Sequence, residues 1–168
     1  MRTTAYRDRI DAGRVLADLV HEHVTPPCVV VGIPRGGVVV ADPVAERLGC
    51  PLTMSFARKL TLPGAPELAF GALDEDGHAV IDHSRLHDMA ARLGDVAEAR
   101  IRVAREIRRQ QRAFPVPRIE PFLPDSALVL VDDGLATGYT MRAAIAHARR
   151  HGARRVVVAV PCASVSAA

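Results

Sequence analysis

Leu128-Val129-Leu130-Val131-Asp132-Asp133-Gly134-Leu135-Ala136-Thr137-Gly138-Tyr139-Thr140 is the stretch on which the reading of this chain turns. Four apolar residues in a row have the pattern of a buried strand in a parallel sheet, where both faces are covered. Two adjacent acids follow, then a short loop of small and hydroxyl-bearing residues. From Met141 to Arg150 the run holds Ala143, Ala144, Ala146 and Ala148 with no breaker, which predicts a helix beginning near Tyr139. That order places carboxylates and free backbone N–H groups together at one side of a sheet. N–H groups at a helix start favour an anion, and the neighbouring carboxylates can accept hydrogen bonds from hydroxyl groups. A ligand with a phosphate a few ångströms from a vicinal diol satisfies both halves, and a sugar phosphate is the obvious candidate.

Downstream, Gly152 closes the helix and Arg155 to Val160 reads as another apolar strand. Upstream, Asp8 to His23 carries Ile10, Val15, Leu16, Leu19 and Val20 at helical spacing, and Pro26-Pro27 stops it. Cys28 to Ile33 is a short apolar run that ends in Gly32-Ile33-Pro34-Arg35-Gly36-Gly37, after which Val38 to Leu48 predicts a helix despite Pro43. Leu52 to Ala57 is a second short strand, ending at Arg58-Lys59. Leu60 to Leu68 contains Pro63, Gly64 and Pro66 with little periodicity and reads as a loop. Ala69 to Leu73 and His78 to Ile81 flank Asp74-Glu75-Asp76-Gly77, a hairpin signal. A short helix after Ser84, a long arginine-rich helix and a proline-bearing connection from Phe114 to Pro124 complete the chain. Strands alternating with helices predict an α/β fold: a central, mostly parallel sheet with helices on both faces and a β-hairpin excursion.

The composition narrows the function classes. At 168 residues and 49% hydrophobic, the chain can build one domain with a substantial core. No apolar run is long enough to cross a bilayer and the N-terminus is polar, so the expectation is a cytoplasmic protein without membrane contact. Cys28, Cys50 and Cys162 show no CxxC spacing and read as isolated buried thiols, with neither a zinc site nor a disulfide. The basic residues comprise 21 arginines and one lysine, Lys59, for a net charge of +3. Arg100, Arg102, Arg105, Arg108, Arg109 and Arg112 interleave with Val96, Ala99, Val103 and Ile107 at a helical period. This is the solvated face of an amphipathic helix; without aromatic interleaving it argues against nucleic-acid binding. His78, His83 and His87 read as loop or surface histidines.

Three loops follow strands and can converge on one crevice. In Pro34-Arg35-Gly36-Gly37 the glycines allow close approach of backbone N–H groups to an anion, and Arg35 adds a guanidinium fork. Arg58-Lys59 sits where a strand enters the Leu60–Leu68 segment. The third loop is the acid pair with its small-residue run. A P-loop NTPase needs a G-x-x-x-x-G-K-[ST] frame, and a dinucleotide-binding domain needs G-x-G-x-x-G; the chain has neither.

With the three loops together, the chain resembles the type I phosphoribosyltransferases. Val129 to Thr140 is similar to that family's signature for phosphoribosyl pyrophosphate (PRPP). Gly32 to Gly37, Arg58-Lys59, Pro66 to Ala72 and Tyr6 to Ala17 resemble a bacterial branch of it, so the likeness spans nearly the whole chain. The resemblance implies that residues 1–168 form a single domain of that kind. Catalytic roles are implied for Asp132, Asp133, Arg58 and Lys59, the two acids holding the ribose 2- and 3-hydroxyls. Gly134, Leu135, Ala136, Thr137, Gly138, Tyr139 and Thr140 would wrap the 5-phosphate. Arg35, Gly36, Gly37, Arg58 and Lys59 would meet the pyrophosphate, and a flexible loop containing Pro63, Gly64 and Glu67 would close over the site. Mg²⁺ is the implied cofactor, held through PRPP and water near Asp132 and Asp133 rather than by direct protein ligands. The implied reaction transfers the phosphoribosyl group to a nitrogenous, nucleobase-like acceptor, as in nucleotide metabolism and salvage, and the implied assembly is a homodimer.

Two departures accompany the likeness. Tyr139 stands where the family has a small residue, so its ring must point away from the phosphate. Family members also continue past the strand ending at Pro161, which implies that a further strand and part of the nucleobase pocket are missing beyond the small-residue tail from Cys162 to Ala168. A regulatory module that senses PRPP or a nucleotide, with a basic surface for a partner or nucleic acid, is the alternative.

Overall fold

The computed structural model of the protein describes residues 6–89, 92–122 and 125–164. In chain order its elements are α1 (Arg9–His23), β1 (Cys28–Gly32), α2 (Gly36–Leu48), β2 (Leu52–Met54), β3 (Arg58–Leu62), β4 (Ala65–Leu73), β5 (Ala79–Ile81), α3 (His83–Asp88), α4 (Leu93–Ala113), β6 (Ala127–Val131), α5 (Tyr139–Arg150) and β7 (Val156–Ala159). They fall into two units. The first holds Met1–Ser55, Pro117–Ala136 and Ala148–Ala168; the second holds Phe56–Val116 and Thr137–His147.

The first unit is built on a parallel sheet in the order β2-β1-β6-β7. All residues of β1 and β6 are buried, which is why both read as unbroken apolar runs rather than alternating ones. Gly32 lies opposite Met54 and Val131, and Val131 lies opposite Ala159, so the strands end level at their carboxyl side. Leu16 and Val20 of α1 and Val40, Val44 and Leu48 of α2 form one core with Val30, Val129 and Val131 of the sheet. Helix α2 starts at Gly36, two residues before the expected boundary, and runs through Pro43. Tertiary burial explains this: Val40 and Val44 are wholly buried. Burying a Val side chain is worth roughly 1.5–3 kcal/mol, so the two together are of the size needed to offset the roughly 3 kcal/mol that an interior proline costs a helix.

The cysteines correct the expectation of isolated buried thiols. Cys28 and Cys50 form a disulfide with a Cα–Cα separation of 5.7 Å, and Cys162 is a free, exposed thiol. The cause is strand register. Val30 pairs with Leu52, so each cysteine stands two residues before its strand's first paired position, at the same level.

The second unit contains an antiparallel sheet in the order β3-β4-β5. Its hairpin between β4 and β5 matches the expected excursion, with Leu73 opposite Ala79. Buried Asp74 organises the turn by accepting the N–H groups of Asp76 at 3.1 Å and His78 at 2.9 Å. The Leu60–Leu68 segment, read from sequence as a loop, is instead mostly paired strand: β3 and β4 join through Pro63-Gly64. The breakers supply the turn, with Gly64 at φ 81°, and the register shifts near Pro66 make room for a residue that cannot donate to the ladder. Glu67 therefore lies on β4, not in a loop.

Helix α4 packs on β3 and β4 through Ala99, Val103 and Ile107, its only buried residues. Arg100, Arg102, Arg105, Arg108, Arg109 and Arg112 are exposed, as the helical period predicts. His78, His83 and His87 are exposed too. No helix among the described residues is long and apolar enough to cross a membrane.

Candidate functional site

Level strand ends bring three segments of the first unit to one place: Ile33–Gly37 after β1, Asp132–Ala136 after β6, and Val160–Ser164 after β7. The turn after β1 is fixed by backbone bonds, from Ile33 N–H to the Val131 carbonyl at 2.9 Å and from Gly37 N–H to the Ile33 carbonyl at 3.1 Å. The Pro34–Arg35 peptide is cis. A Cβ on Gly37 would stand 2.7 Å from the Val131 carbonyl oxygen and 2.8 Å from Asp132 Cα, so only glycine lets this turn lie against the acid pair. Arg35 is exposed, a guanidinium at the start of α2.

Asp132 and Asp133 are both half-buried. Asp132 Oδ1 accepts the Asp133 N–H at 2.8 Å, which fixes the first carboxylate against the backbone of the second. Asp133 Oδ2 accepts the Arg9 Nε–H at 2.7 Å. A carboxylate has room for about four hydrogen bonds, so Asp133 retains capacity for hydroxyl donors beyond its bond to Arg9.

The segment after the acids is clasped by the chain after β7. Leu135 N–H donates to the Cys162 carbonyl at 3.0 Å, Ser164 N–H donates to the Leu135 carbonyl at 2.8 Å, and Ser164 Oγ–H donates to the Ala136 carbonyl. Leu135 and Ala163 form a parallel bridge. The small-residue tail thus has a local purpose as far as Ser164, while 165–168 lie outside the described residues.

The second unit holds the other expected site residues. Thr137, Gly138, Tyr139 and Thr140 enter α5, with Gly138 at φ 72° and its carbonyl accepting the Arg142 N–H at 2.9 Å. Tyr139 is 7% exposed and its hydroxyl donates to Asp82 Oδ2 at 2.6 Å. That bond ties the ring to the residue that precedes α3. Asp82 also caps α3 through the Arg85 N–H and accepts the Ser84 hydroxyl. The Ser84 and Tyr139 hydroxyls and the Arg85 N–H hold its carboxyl well below the usual carboxylate range. Burial, and then the bond to Asp82, pushes the Tyr139 hydroxyl up.

Arg58 opens β3, and its Nη2 sits 3.0 Å from Glu106 Oε2 on α4. Lys59, the next residue, is exposed. Pro63 and Gly64 form the β3–β4 turn. The structure therefore assembles Arg35, Gly36, Gly37, Asp132, Asp133 and Gly134–Ala136 within the first unit, and carries Arg58, Lys59, Pro63, Gly64, Glu67 and Thr137–Thr140 on the second. Sequence reasoning missed Arg9, Asp82, Glu106 and the Cys162–Ser164 clasp. Each acts through a partner distant in the chain, and only the resemblance of Tyr6–Ala17 hinted at the first. It also assigned no role to His147, 1% exposed on α5 with Glu75 Oε1 3.4 Å from Nε2 and Asp76 Oδ2 3.1 Å from Nδ1.

Comparison with known proteins points the same way. The family model of the phosphoribosyl transferase domain matches residues 4–167. A Mycobacterium tuberculosis protein, named provisionally as a phosphoribosyl transferase in two strains, is 44% identical over 158 residues, 93% of this chain. The chain spans 35% of that protein's length. A crystal structure from Thermus thermophilus aligns with TM-score 0.73 and 40% identity, over 98% of this chain and 78% of that one. A purine phosphoribosyltransferase from Pyrococcus horikoshii shares the fold at TM-score 0.56 and 20% identity, over 95% of this chain and 76% of its own. With an α/β fold on a parallel sheet and a family match along nearly its full length, the chain belongs to the phosphoribosyl transferase domain family.

Proposed function

We propose that the protein binds PRPP with Mg²⁺ and transfers its phosphoribosyl group to a nitrogenous, nucleobase-like acceptor. The observation that carries this reading is the acid pair at the end of β6, set beside the Arg35–Gly37 turn and continued by the Gly134–Ala136 loop. In this reading Asp132 and Asp133 accept the ribose 2- and 3-hydroxyls. Backbone N–H groups from Gly134 to Thr140, with the Thr137 and Thr140 hydroxyls, hold the 5-phosphate. Arg35, Gly36, Gly37, Arg58 and Lys59 bind the pyrophosphate. The acceptor nitrogen bonds to C1 as the C1–oxygen bond breaks, and pyrophosphate leaves with that electron pair. The acceptor's N–H proton passes to solvent. Negative charge grows on the leaving group, where guanidinium and ammonium groups stabilise it.

Partly exposed carboxylates beside phosphate oxygens form a hard oxygen donor set that suits Mg²⁺. Asp132 and Asp133 would lie near the ion and contact it through PRPP and water, and it would neutralise pyrophosphate charge when bound. A cytoplasmic homodimer belongs to the same proposal and rests on the family resemblance; sedimentation of the purified chain tests the assembly.

Calorimetric titration with PRPP and Mg²⁺, followed by a pyrophosphate-release screen against purine and pyrimidine bases, tests the function. Saturable binding and release with one acceptor class are expected. A folded sample that binds no PRPP would sink the proposal. The exposed arginines of α4 favour one second reading, a PRPP-sensing module with a polyanionic partner; steeply salt-sensitive RNA or DNA binding without pyrophosphate release would select it.

A further inference from the structure

The reaction outlined above leaves the segment Tyr6–Ala17 without a task. In the structure its beginning is fixed at three points. The Tyr6 hydroxyl donates to the Pro161 carbonyl, just beyond β7, at 3.3 Å. Asp8 stands in extended conformation before α1, and its Oδ1 accepts the Asp11 N–H at 2.8 Å, so the first turn of the helix is capped. Gly13 lets α1 lie close on α2: a Cβ there would stand 2.6 Å from the Val40 carbonyl oxygen. These ties set where the Arg9 side chain starts.

Arg9 Nε–H donates to Asp133 Oδ2 at 2.7 Å. Gly36, the first residue of α2, lies against that pair: a Cβ there would overlap the same carboxylate oxygen and stand 3.0 Å from Arg9 Nε. Position 36 is glycine because Asp133 fills the place of a side chain, with Arg9 beside it. One guanidinium therefore reaches both the acid assigned to the ribose and the turn assigned to the pyrophosphate. Its side chain is 60% exposed, and its terminal nitrogens make no hydrogen bond among the described residues. A guanidinium has five N–H donors; with Nε–H on Asp133, four remain on Nη1 and Nη2, an edge that grips a phosphoryl group as a fork. Arg9 also lines a cavity of about 300 Å³, but the Asp8 and Asp133 carboxylates line it too and repel an anion inside it. Over the Gly36 turn the balance differs, because there Arg9 offsets the Asp133 charge. A polyanion beside an acid pair needs such a cation, bonded to the acid and still open to the ligand.

We propose that Arg9 is a pyrophosphate-binding residue: its Nε–H stays on Asp133 while its terminal nitrogens hold a phosphoryl group of the leaving pyrophosphate. The proposal rests on the PRPP reading above, which puts the ribose on Asp133 and the pyrophosphate on the Gly36 turn. One side chain then braces both sides of the bond that breaks. It fixes the acid that holds the sugar, and it meets the negative charge that grows on the leaving group. Lysine is no equivalent here, since an ammonium is a point charge without the fork that serves a carboxylate and a phosphoryl group together.

Two ligands test this without requiring turnover. Calorimetry on the full chain with Mg²⁺ compares PRPP with ribose 5-phosphate, which lacks the pyrophosphate and otherwise fills the same positions; displacement of PRPP measures the weaker ligand. Arg9→Gln should weaken PRPP at least about tenfold and leave ribose 5-phosphate within about threefold of wild type. Arg9→Lys should fall between wild type and Arg9→Gln for PRPP, because the charge remains and the fork is lost. Both variants should keep Tm within about 2 °C of wild type, as expected for a mostly exposed side chain. Undiminished PRPP affinity in Arg9→Gln would overturn the contact. Equal losses for PRPP and ribose 5-phosphate, or a collapse of Tm in both variants, would overturn the pyrophosphate role and leave Arg9 as a support for Asp133. Failure of both ligands to bind wild type would instead strike the PRPP reading, and this inference with it.

Discussion

The parallel sheet of the first unit and the antiparallel sheet of the second present functional groups in opposite ways. In the first, strands β1, β6 and β7 end level, and Arg35–Gly37, Asp132–Ala136 and Cys162–Ser164 lie beyond those ends, fixed by backbone hydrogen bonds. In the second, Arg58 and Lys59 sit within a strand, pointing to opposite faces as successive strand residues do. Arg58 is held by a side-chain partner, Glu106, rather than by backbone. Backbone-fixed groups cannot be disturbed without strain in the core, whereas side-chain-fixed groups can be released at little cost in stability. Substitutions should separate the two regions on that basis.

The largest loss of stability is expected from removing the Cys28–Cys50 bridge. The cysteines are 22 residues apart, and closing a loop of that length contributes about 3 kcal/mol in the chain-entropy account. Cys28→Ala with Cys50→Ala should lower Tm by about 10 °C in a thermal scan. PRPP affinity should hardly change, because the bridge stands at the amino ends of the strands and the site at their carboxyl ends. A large loss of affinity would mean that the two ends of the sheet are coupled.

Next is Gly37→Ala, whose Cβ would meet the Val131 carbonyl oxygen and Asp132 Cα, both backbone atoms. It should cost about 2 kcal/mol in urea denaturation and weaken PRPP binding as well, since the turn and the acid pair must move apart. An unchanged midpoint would show that the turn is softer than its hydrogen bonds suggest.

Within the second unit, Tyr139→Phe removes the hydroxyl from Asp82 and should lower Tm by on the order of 3 °C. The pH dependence follows from the sign of the Asp82 shift. Its folded pKa lies below the ordinary 3.8, so its contribution is present above pH 3.8 and is lost as pH falls through the folded value. Acid unfolding followed by circular dichroism should therefore show the gap between wild type and Tyr139→Phe closing at low pH. A gap that persists in strong acid would contradict the assignment. The smallest effect on stability is expected from Glu106→Gln, within about 0.5 kcal/mol because the pair with Arg58 is partly exposed. PRPP affinity should shift a few-fold in calorimetry, since Arg58 loses its orienting partner; no shift at all would remove Arg58 from the pyrophosphate site.

The same contrast explains what the sequence disclosed. The Leu128–Thr140 pattern is local, so strand, acids, loop and helix were all legible, as were the β1 run and the Asp74–Gly77 turn. Pro63, Gly64 and Pro66 misled because residues that break periodicity also build tight turns and bulges, and pairing across the turn is not a local property. The disulfide escaped notice because its geometry comes from the register of β1 against β2. Arg9 is 124 residues from Asp133 in the chain, and no spacing rule reaches that far. Periodicity reveals what lies along an element; contacts set by register and helix packing emerge only with the fold.

The central claim is that Asp132 and Asp133 hold ribose hydroxyls rather than support the fold. Calorimetric titration of Asp132→Asn with Asp133→Asn by PRPP and Mg²⁺, beside a thermal scan, tests it most directly. The account predicts a loss of affinity of about a hundredfold or more, roughly 2.7 kcal/mol, with Tm within about 2 °C of wild type. Undiminished PRPP affinity, or a collapse in stability, would contradict it.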